Sequence, residues 1–538
     1  PDGAVYVADS NNHRIQKFAP GTPNWLQRNI NGFGDRNRYV NSLTPFGGYL
    51  YAGTAKYATT GAQIWRMDAT GNWNAVMTDG FGAPHNTDVE NLVEFKDRLY
   101  AGVRSRTTSL PNTAGGEIWR SNNGTTWEQV ANGGFGNLYN GAVFHMAVYN
   151  DQLYAGTWTY TSTLGAGIWR SSTGNAGDWT QVAANGFGDP DNSVVLTMQE
   201  FDGYLYAGTR SRTASGADIW RYDGATWTPV VTDGFGQTGT YDIAALAVLG
   251  DYLYAGTGRY DPNTQSYPGG QLWRCSRASG CDEASDWDIV VADGFGNAAN
   301  VNITALHTFD HYLIAVTYNV ETGMEVWRTP DGVSWDQVGF AGLGDSNNAG
   351  PSWSNSLATF NDNLYIGVYN SASAGKVWQY LRQRATVNIA DPAVAHTLVF
   401  TSTGGGRTTV MIPANAVDQP TELVYQPFTP TTRPPNSAFA GRAFDLDAYR
   451  GGAPVANLQF QQPVTIIIEY IDADVAAIDE SALHLYRWVP ATATWEDAAC
   501  GAYVRQPAQN RISAPICHLS RFGLFGAMEY VYLPTVRR

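Results

Sequence analysis

Four short runs carry side chains that could do chemistry: Arg104-Ser-Arg106, Trp158-Thr-Tyr160, Arg210-Ser-Arg212 and Arg259-Tyr260. A spacing of two puts Arg104 beside Arg106, and Arg210 beside Arg212, on one side of an extended chain. A guanidinium offers a planar fork to a carboxylate, and aromatic faces stack on a sugar ring or a cation. On a chain of net charge −15, such an arc suits a carboxylate-bearing glycan or peptide. The plainer alternative is that each Arg pairs with an Asp or Glu nearby.

Other candidates are weaker. Asn86, Asn140, Asn192, Asn300 and Asn348 recur after Gly-rich loops, with Asp35, Asp189 and Asp345 near them. Clustered oxygens of this kind suit structural calcium, but a feature repeated along the chain fits Asx-turn capping better. Glycoside hydrolysis needs two carboxyls about 5–10 Å apart. Glu90, Glu94, Glu200 and Asp242 each stand without an obvious partner. The eight His show no metal spacing, and no Gly-x-Ser-x-Gly turn or phosphate loop occurs. No catalytic residue and no cofactor beyond structural calcium is expected.

Composition narrows the class. With 43% hydrophobic and 13% aromatic residues, the 538-residue chain is too apolar to be disordered and too long for one ordinary domain. Four Lys beside 29 Arg, under 48 acidic residues, argue against a nucleic-acid partner, which needs clustered cations. No apolar stretch approaches the 18 residues of a membrane span. Residue 1 is Pro, which predicts a processed product or a fragment. The four cysteines form two local pairs, Cys275/Cys281 and Cys500/Cys517. Two disulfides, and hence an extracellular or cell-surface location, are the simpler reading; two buried thiol pairs are the other.

The elements that must position these residues are repeats. The run Leu50-Tyr-Ala-Gly-Thr54 recurs at Leu99, Leu153, Leu205, Leu253, Leu313 and Leu364, with drift in the last two. An apolar residue then Trp follows each, at Trp65, Trp119, Trp169, Trp220, Trp273, Trp327 and Trp378. A second Trp and a Gly-Phe-Gly loop close each repeat except the seventh, with Leu343 in place of Phe in the sixth. The missing piece lies at the other end, where Trp25 precedes Gly32-Phe33-Gly34. A ring of four-stranded sheets closes when an N-terminal strand completes the last sheet. An all-β fold is therefore expected: a seven-bladed β-propeller over residues 24–381, with a period close to the kelch-type ~50, followed by a β-sandwich.

The turns Ser121-Asn-Asn-Gly-Thr-Thr-Trp127 and Thr329-Pro-Asp-Gly-Val-Ser-Trp335 resemble a shortened Asp-box, the hairpin of sialidase-type propellers. That motif implies no activity. A sialidase-like site would need three convergent Arg, which Arg104, Arg210 and Arg259 could imitate, and a Tyr nucleophile with an acidic partner, which are not placed. Residues 3–18 resemble an NHL repeat, so 1–23 reads as the remnant of an upstream array. Residues 382–529 alternate apolar and polar in short runs, followed by a tail at 530–538. The segment Leu485-Tyr-Arg-Trp488, Trp495, Cys500 and Ile516-Cys-His-Leu-Ser-Arg-Phe522 resembles the proteolysis site of the GAIN domain of adhesion receptors. More loosely, the region looks like the sandwich shared by ankyrins and netrin receptors. The resemblance implies self-cleavage by His518, Leu519 and Ser520, but two of the family's four cysteines are missing, and an intact closing strand is expected.

These observations lead to a secreted or surface-exposed binding or adhesion protein that recognises an extracellular glycan or protein ligand on one propeller face. An extracellular carbohydrate-active enzyme using that face, and a structural surface component, are the alternatives.

Overall fold

The computed structural model of the chain describes residues 5–9, 14–18 and 25–528, apart from short gaps at 57–59, 108–112, 214, 238, 262, 352–353, 371, 382, 403–404, 429, 431, 456–457, 477, 491 and 493. The expected tail at 530–538 lies outside the described residues. The chain is all-β, and two compact units meet in sequence at Arg382. No described helix is long and apolar enough to cross a membrane.

Each of the first six repeats folds into four antiparallel strands in sequence order. The second repeat is typical, with Asn86–Phe95, Arg98–Ser105, Glu117–Ser121 and Glu128–Ala131. Single bridges stitch neighbours together: Ala55↔Asp88, Arg104↔Ala142, Trp158↔Val194, Arg210↔Asp242 and Gly258↔Asn302. The last repeat returns to the first, where Gly375 N–H donates to the Asn37 carbonyl (2.8 Å). Its outer strand comes from the far end of the array: Trp25–Gln27 pairs antiparallel with Lys376–Tyr380, Gln27 opposite Trp378. The offset of the Trp pattern required this pairing.

Close packing explains the repeated residues. A Cβ on Gly53, Gly156 or Gly208 would fall within 2.7 Å of Val89, Val195 or Ile243 on the next repeat's innermost strand. Glycine is therefore demanded where sheets crowd the axis. Further out, each Gly-Phe-Gly loop inserts its Phe between the two Trp of the following repeat. Phe81 stacks on Trp119 (4.7 Å) and meets Trp127 edge-on (5.5 Å), and five other repeats show the same triad. In the seventh repeat Leu343 and Trp25 complete the cluster with Trp378. The hairpin tips dock on the preceding repeat: Gly124 sits against the Tyr51 hydroxyl and Gly332 against that of Tyr254. The seventh repeat departs from the pattern at its innermost strand, which is split into Asn348–Gly350 and Leu357–Phe360.

The C-terminal unit has two antiparallel sheets. One runs, in spatial order, Ala385–Ile389, Thr421–Pro427, Ser437–Arg450, Ser520–Ala527, His484–Val489 and Thr494–Asp497, with Ala453–Pro454 on Ser437–Arg450. The other runs His396–Thr401, Arg407–Ile412, Gln459–Glu469, Arg511–His518 and Val504–Gln506. Their inner faces share one core that includes Leu398, Val410, Ile466, Phe444, Phe522 and Leu524. Both disulfides form: Cys275–Cys281 clamps the long turn of the fifth repeat, and Cys500–Cys517 spans 17 residues of the C-terminal unit. At the N-terminus, Val5–Asp9 and Arg14–Phe18 pair as an antiparallel hairpin.

Candidate functional site

The repeats hold some positions constant and vary others at fixed offsets. The constant set is structural. Each loop Asn donates its side-chain amide six residues back to its own loop: Asn86 to the Gly80 carbonyl (3.1 Å), Asn192 to Gly186 (3.1 Å), Asn300 to Gly294 (2.8 Å). At Asn192 and Asn300 the Oδ1 also accepts from the Thr of the adjacent strand, Thr209 (2.6 Å) and Thr317 (3.0 Å). An acid or amide two residues before five of the seven Trp completes the set, as where Asn86 and the Trp119 indole both donate to Glu117 (2.7 Å each). These Asn are thus loop clamps, not the Asx-turn caps expected from sequence. Asp35 and Asp345 instead take Lys56 and Lys376 (2.6 Å each). Among the described residues no cluster of three His, Cys, Asp or Glu is placed to hold a metal.

The variable set forms the mouth of the ring. The residue that follows each Tyr-Ala-Gly-Thr run occupies one register level: Ala55, Arg104, Trp158, Arg210, Gly258, Tyr318 and Tyr369. Opposite them on the innermost strands stand Tyr39, Asp88, Ala142, Val194, Asp242, Asn302 and Gly350. Inter-repeat bridges tie several of these fourteen positions into a continuous ladder.

Two arginines of this level form ion pairs. Arg104, 5% exposed, pairs with the Glu90 carboxylate, has Asp88 at 3.9 Å, and lies over the Trp158 ring at 4.1 Å. Asn41 donates to the other Glu90 oxygen (3.1 Å). Burial pushes the Glu90 carboxyl up to about 7, while the Arg104 guanidinium pulls it down and Asp88 pushes it up. Arg210 forks onto the fully buried Asp242 of the next repeat through Nε (2.5 Å) and Nη2 (2.6 Å), and Asn302 donates to the same carboxylate (3.0 Å). Around these pairs stand half-buried Tyr39, Trp158, Tyr160, Tyr241 and Tyr318. Tyr39 stacks on Tyr369 (4.4 Å), with Arg38 over both rings. Desolvation raises the Tyr39 and Tyr241 phenols and pushes Tyr318 up to about 12, so all three stay protonated donors near neutrality.

The structure brings Arg104, Trp158, Tyr160 and Arg210 together and decides what the arginines do. Of the two readings the sequence left open, exposed forks for a ligand anion or pairing with nearby acids, Arg104 and Arg210 take the second and are engaged by buried carboxylates. Arg212 donates to the carbonyls of Thr159 (2.7 Å), Pro190 (2.8 Å) and Leu164 (3.1 Å), pinning the neighbouring loop. Arg259 follows Gly258 and is half-buried on its strand end, and Tyr260 packs against Tyr267 (5.1 Å) of its own loop. Arg106 is exposed at the rim. Glu90 and Asp242, read as carboxyls lacking a second carboxyl for hydrolysis, are engaged by guanidiniums. Tyr39, Asp88, Tyr318 and Tyr369 were missed, although their offsets from the loop Asn and the Thr mark them.

In the C-terminal unit, His518 ends one sheet's strand and Ser520 begins the other sheet's, with Leu519 between them. The Leu519 N–H donates to the Leu458 carbonyl (3.1 Å), and the Ser520 hydroxyl to the Trp488 carbonyl (3.4 Å). Burial and Arg487 lower the His518 pKa.

The NHL repeat family matches residues 1–18. No curated protein sequence matches the chain. Similar solved structures include the polysaccharide lyase Uly1, at 11% identity over 70% of this chain and 97% of that one (TM-score 0.42). The WD40 β-propeller domain of Doa1 matches at 12% identity over 66% and 96% (TM-score 0.40). A GH93 α-L-arabinofuranosidase of Fusarium graminearum, in complex with arabinobiose, matches at 11% over 54% and 91% (TM-score 0.35). Likenesses this distant say nothing of what the chain binds.

Proposed function

We propose that residues 25–382 are a seven-bladed propeller acting as the recognition module of a secreted or cell-surface binding protein. Its ligand, a glycan or a peptide, sits at the ring mouth, and a C-terminal β-sandwich serves as the supporting module. The observation that carries this reading is the ring of variable positions. A scaffold that repeats its Gly, Trp, Phe and loop Asn in blade after blade abandons repetition at one level and fills it with Arg, Trp and Tyr. Repeated residues serve every blade, whereas residues that differ blade by blade serve something that touches all of them together. Two disulfides are compatible with an oxidising compartment. The carboxyls of the mouth favour binding over hydrolysis: Asp88, Glu90 and Asp242 are at most 2% exposed and engaged by arginines, whereas a glycosidase pair must reach the scissile bond.

The test is a thermal-shift screen of glycan and peptide libraries against the full chain and the Trp158→Ala and Tyr318→Ala variants. Hits that lose their stabilisation in both variants support the mouth. Hits that persist in both overturn it, and cleaved oligosaccharide in the same wells would make the chain an enzyme.

A further inference from the structure

We infer that the mouth recognises an uncharged carbohydrate, lying flat across its aromatic residues, and not an acidic glycan or a peptide; this rests on the mouth-binding reading above. The first argument is charge. Two guanidiniums, Arg104 and Arg210, stand over three carboxyls, Asp88, Glu90 and Asp242. Burial favours the neutral form of Glu90, which leaves each of these two guanidiniums matched by one buried carboxylate, Arg104 by Asp88 and Arg210 by Asp242. A ligand carboxylate on Arg210 would have to share its fork with the buried Asp242 or displace it, leaving a buried charge without its counter-ion. A sugar hydroxyl makes no such demand, because it accepts a hydrogen bond without bringing a charge.

The second argument is depth. One step below the mouth, the bulged residues of the innermost strands are Asn41, Glu90, Phe144, Leu196, Ala244 and Thr304, none more than 3% exposed. In these six repeats the floor residues are buried, which disfavours a deep slot there for a peptide's anchoring side chain. The aromatic surface that stays accessible is the half-buried faces of Tyr39, Trp158, Tyr241 and Tyr318, with phenols that stay protonated. A sugar ring has an apolar C–H face and a hydroxyl edge, the two surfaces such a floor complements.

The third argument is the backbone. A peptide often binds by adding a strand to an open sheet edge. At this level the strands of the first six described repeats are bridged both within and between repeats, from Ala55↔Asp88 through Gly258↔Asn302, so an added strand finds no open edge among them.

The experiment uses the full chain against an array of neutral β-glucan, xylan, mannan and galactan oligosaccharides, with pectin- and alginate-derived uronates and a random peptide library beside them. Hits are followed by calorimetry at 50 and 500 mM NaCl. The inference expects neutral oligosaccharide binding that changes less than twofold with salt. It also expects at least a tenfold loss in Trp158→Ala, and a smaller loss in Tyr318→Phe, which keeps the ring and removes one donor. Circular dichroism of both variants should match the parent. Binding only to uronates, with affinity falling steeply in salt, overturns the inference and leaves the mouth reading intact if Trp158→Ala abolishes it. Peptide binding lost in Trp158→Ala does the same. Binding indifferent to both variants overturns the mouth reading itself, and no binding to any neutral oligosaccharide counts against the inference.

Discussion

The strand Trp25–Gln27 should be worth as much to the ring as its length is small. Trp25 is 4% exposed, packs on Tyr380 (5.1 Å) and donates its indole N–H to the Val338 carbonyl (3.1 Å). Removing such a side chain costs about 3–5 kcal/mol, as for other buried Trp→Ala changes. A unit of some 360 residues has an unfolding entropy of about 0.75 kcal/mol/K at ~2.1 cal/mol/K per residue. Trp25→Ala should therefore lower the melting temperature of this unit by about 4–7 °C in differential scanning calorimetry. Deleting residues 1–30 should lower it further. The deletion also removes the Arg28 N–H bond to the Val377 carbonyl (2.8 Å) and the Asn29 clamp on Val377 and Gly375 (2.7 and 3.3 Å). It leaves Lys376–Tyr380 as a bare edge, so light scattering should report association. Trp335, half-buried at the matching place in the sixth repeat, is the control, and Trp335→Ala should cost less. A truncated chain that melts with the parent and stays monodisperse would refute the closure argument.

Burial holds the His145 pKa down at about 4, below the ~6.5 of an unfolded histidine. The unfolded chain therefore takes up the proton first, and stability should fall as pH drops from about 6.5 to about 4; His145→Gln should remove up to roughly 3 kcal/mol of that fall in urea titrations. Loop entropy assigns about 2 kcal/mol to Cys275–Cys281 and about 3 to Cys500–Cys517. Paired Cys→Ser variants should therefore lower the melting transition of the C-terminal unit more in free energy than that of the ring, and the reverse order would contradict the loop argument. The chain should remain whole at Leu519, because the Ser520 hydroxyl is turned to the Trp488 carbonyl and the Leu519 N–H is satisfied by Leu458. Intact-mass measurement after denaturation checks this, and a fragment ending at Leu519 would refute it.

What the sequence made legible is what every repeat must do alike. Glycine follows Tyr-Ala because a Cβ there would fall within 2.7 Å of the next repeat's Val or Ile, and Trp recurs because a Phe from the preceding loop stacks on it. Each requirement is met seven times or nearly so, and repetition turns a local packing need into a readable pattern. The closing strand was legible for the same reason, since one Trp was missing at one end and present at the other. Partners across repeats were not. Arg210 and Asp242 are 32 residues apart, and nothing local indicates that one register step links them across two sheets. Arg104 and Arg212 show how much that step decides. Each Arg sits in an Arg-Ser-Arg run, yet Arg104, directly after the Tyr-Ala-Gly run and its β-branched residue, turns inward onto Glu90, while Arg212, two residues further along its own run, reaches the carbonyls of a neighbouring loop. Depth along the strand, not residue type, separates a mouth residue from a loop pin. The offset from the Thr measures that depth, and the same offset picks out Tyr318 and Tyr369, which carry no charge to draw attention to them. In a ring of repeats the functional level is therefore best sought where register is constant and residue identity is not.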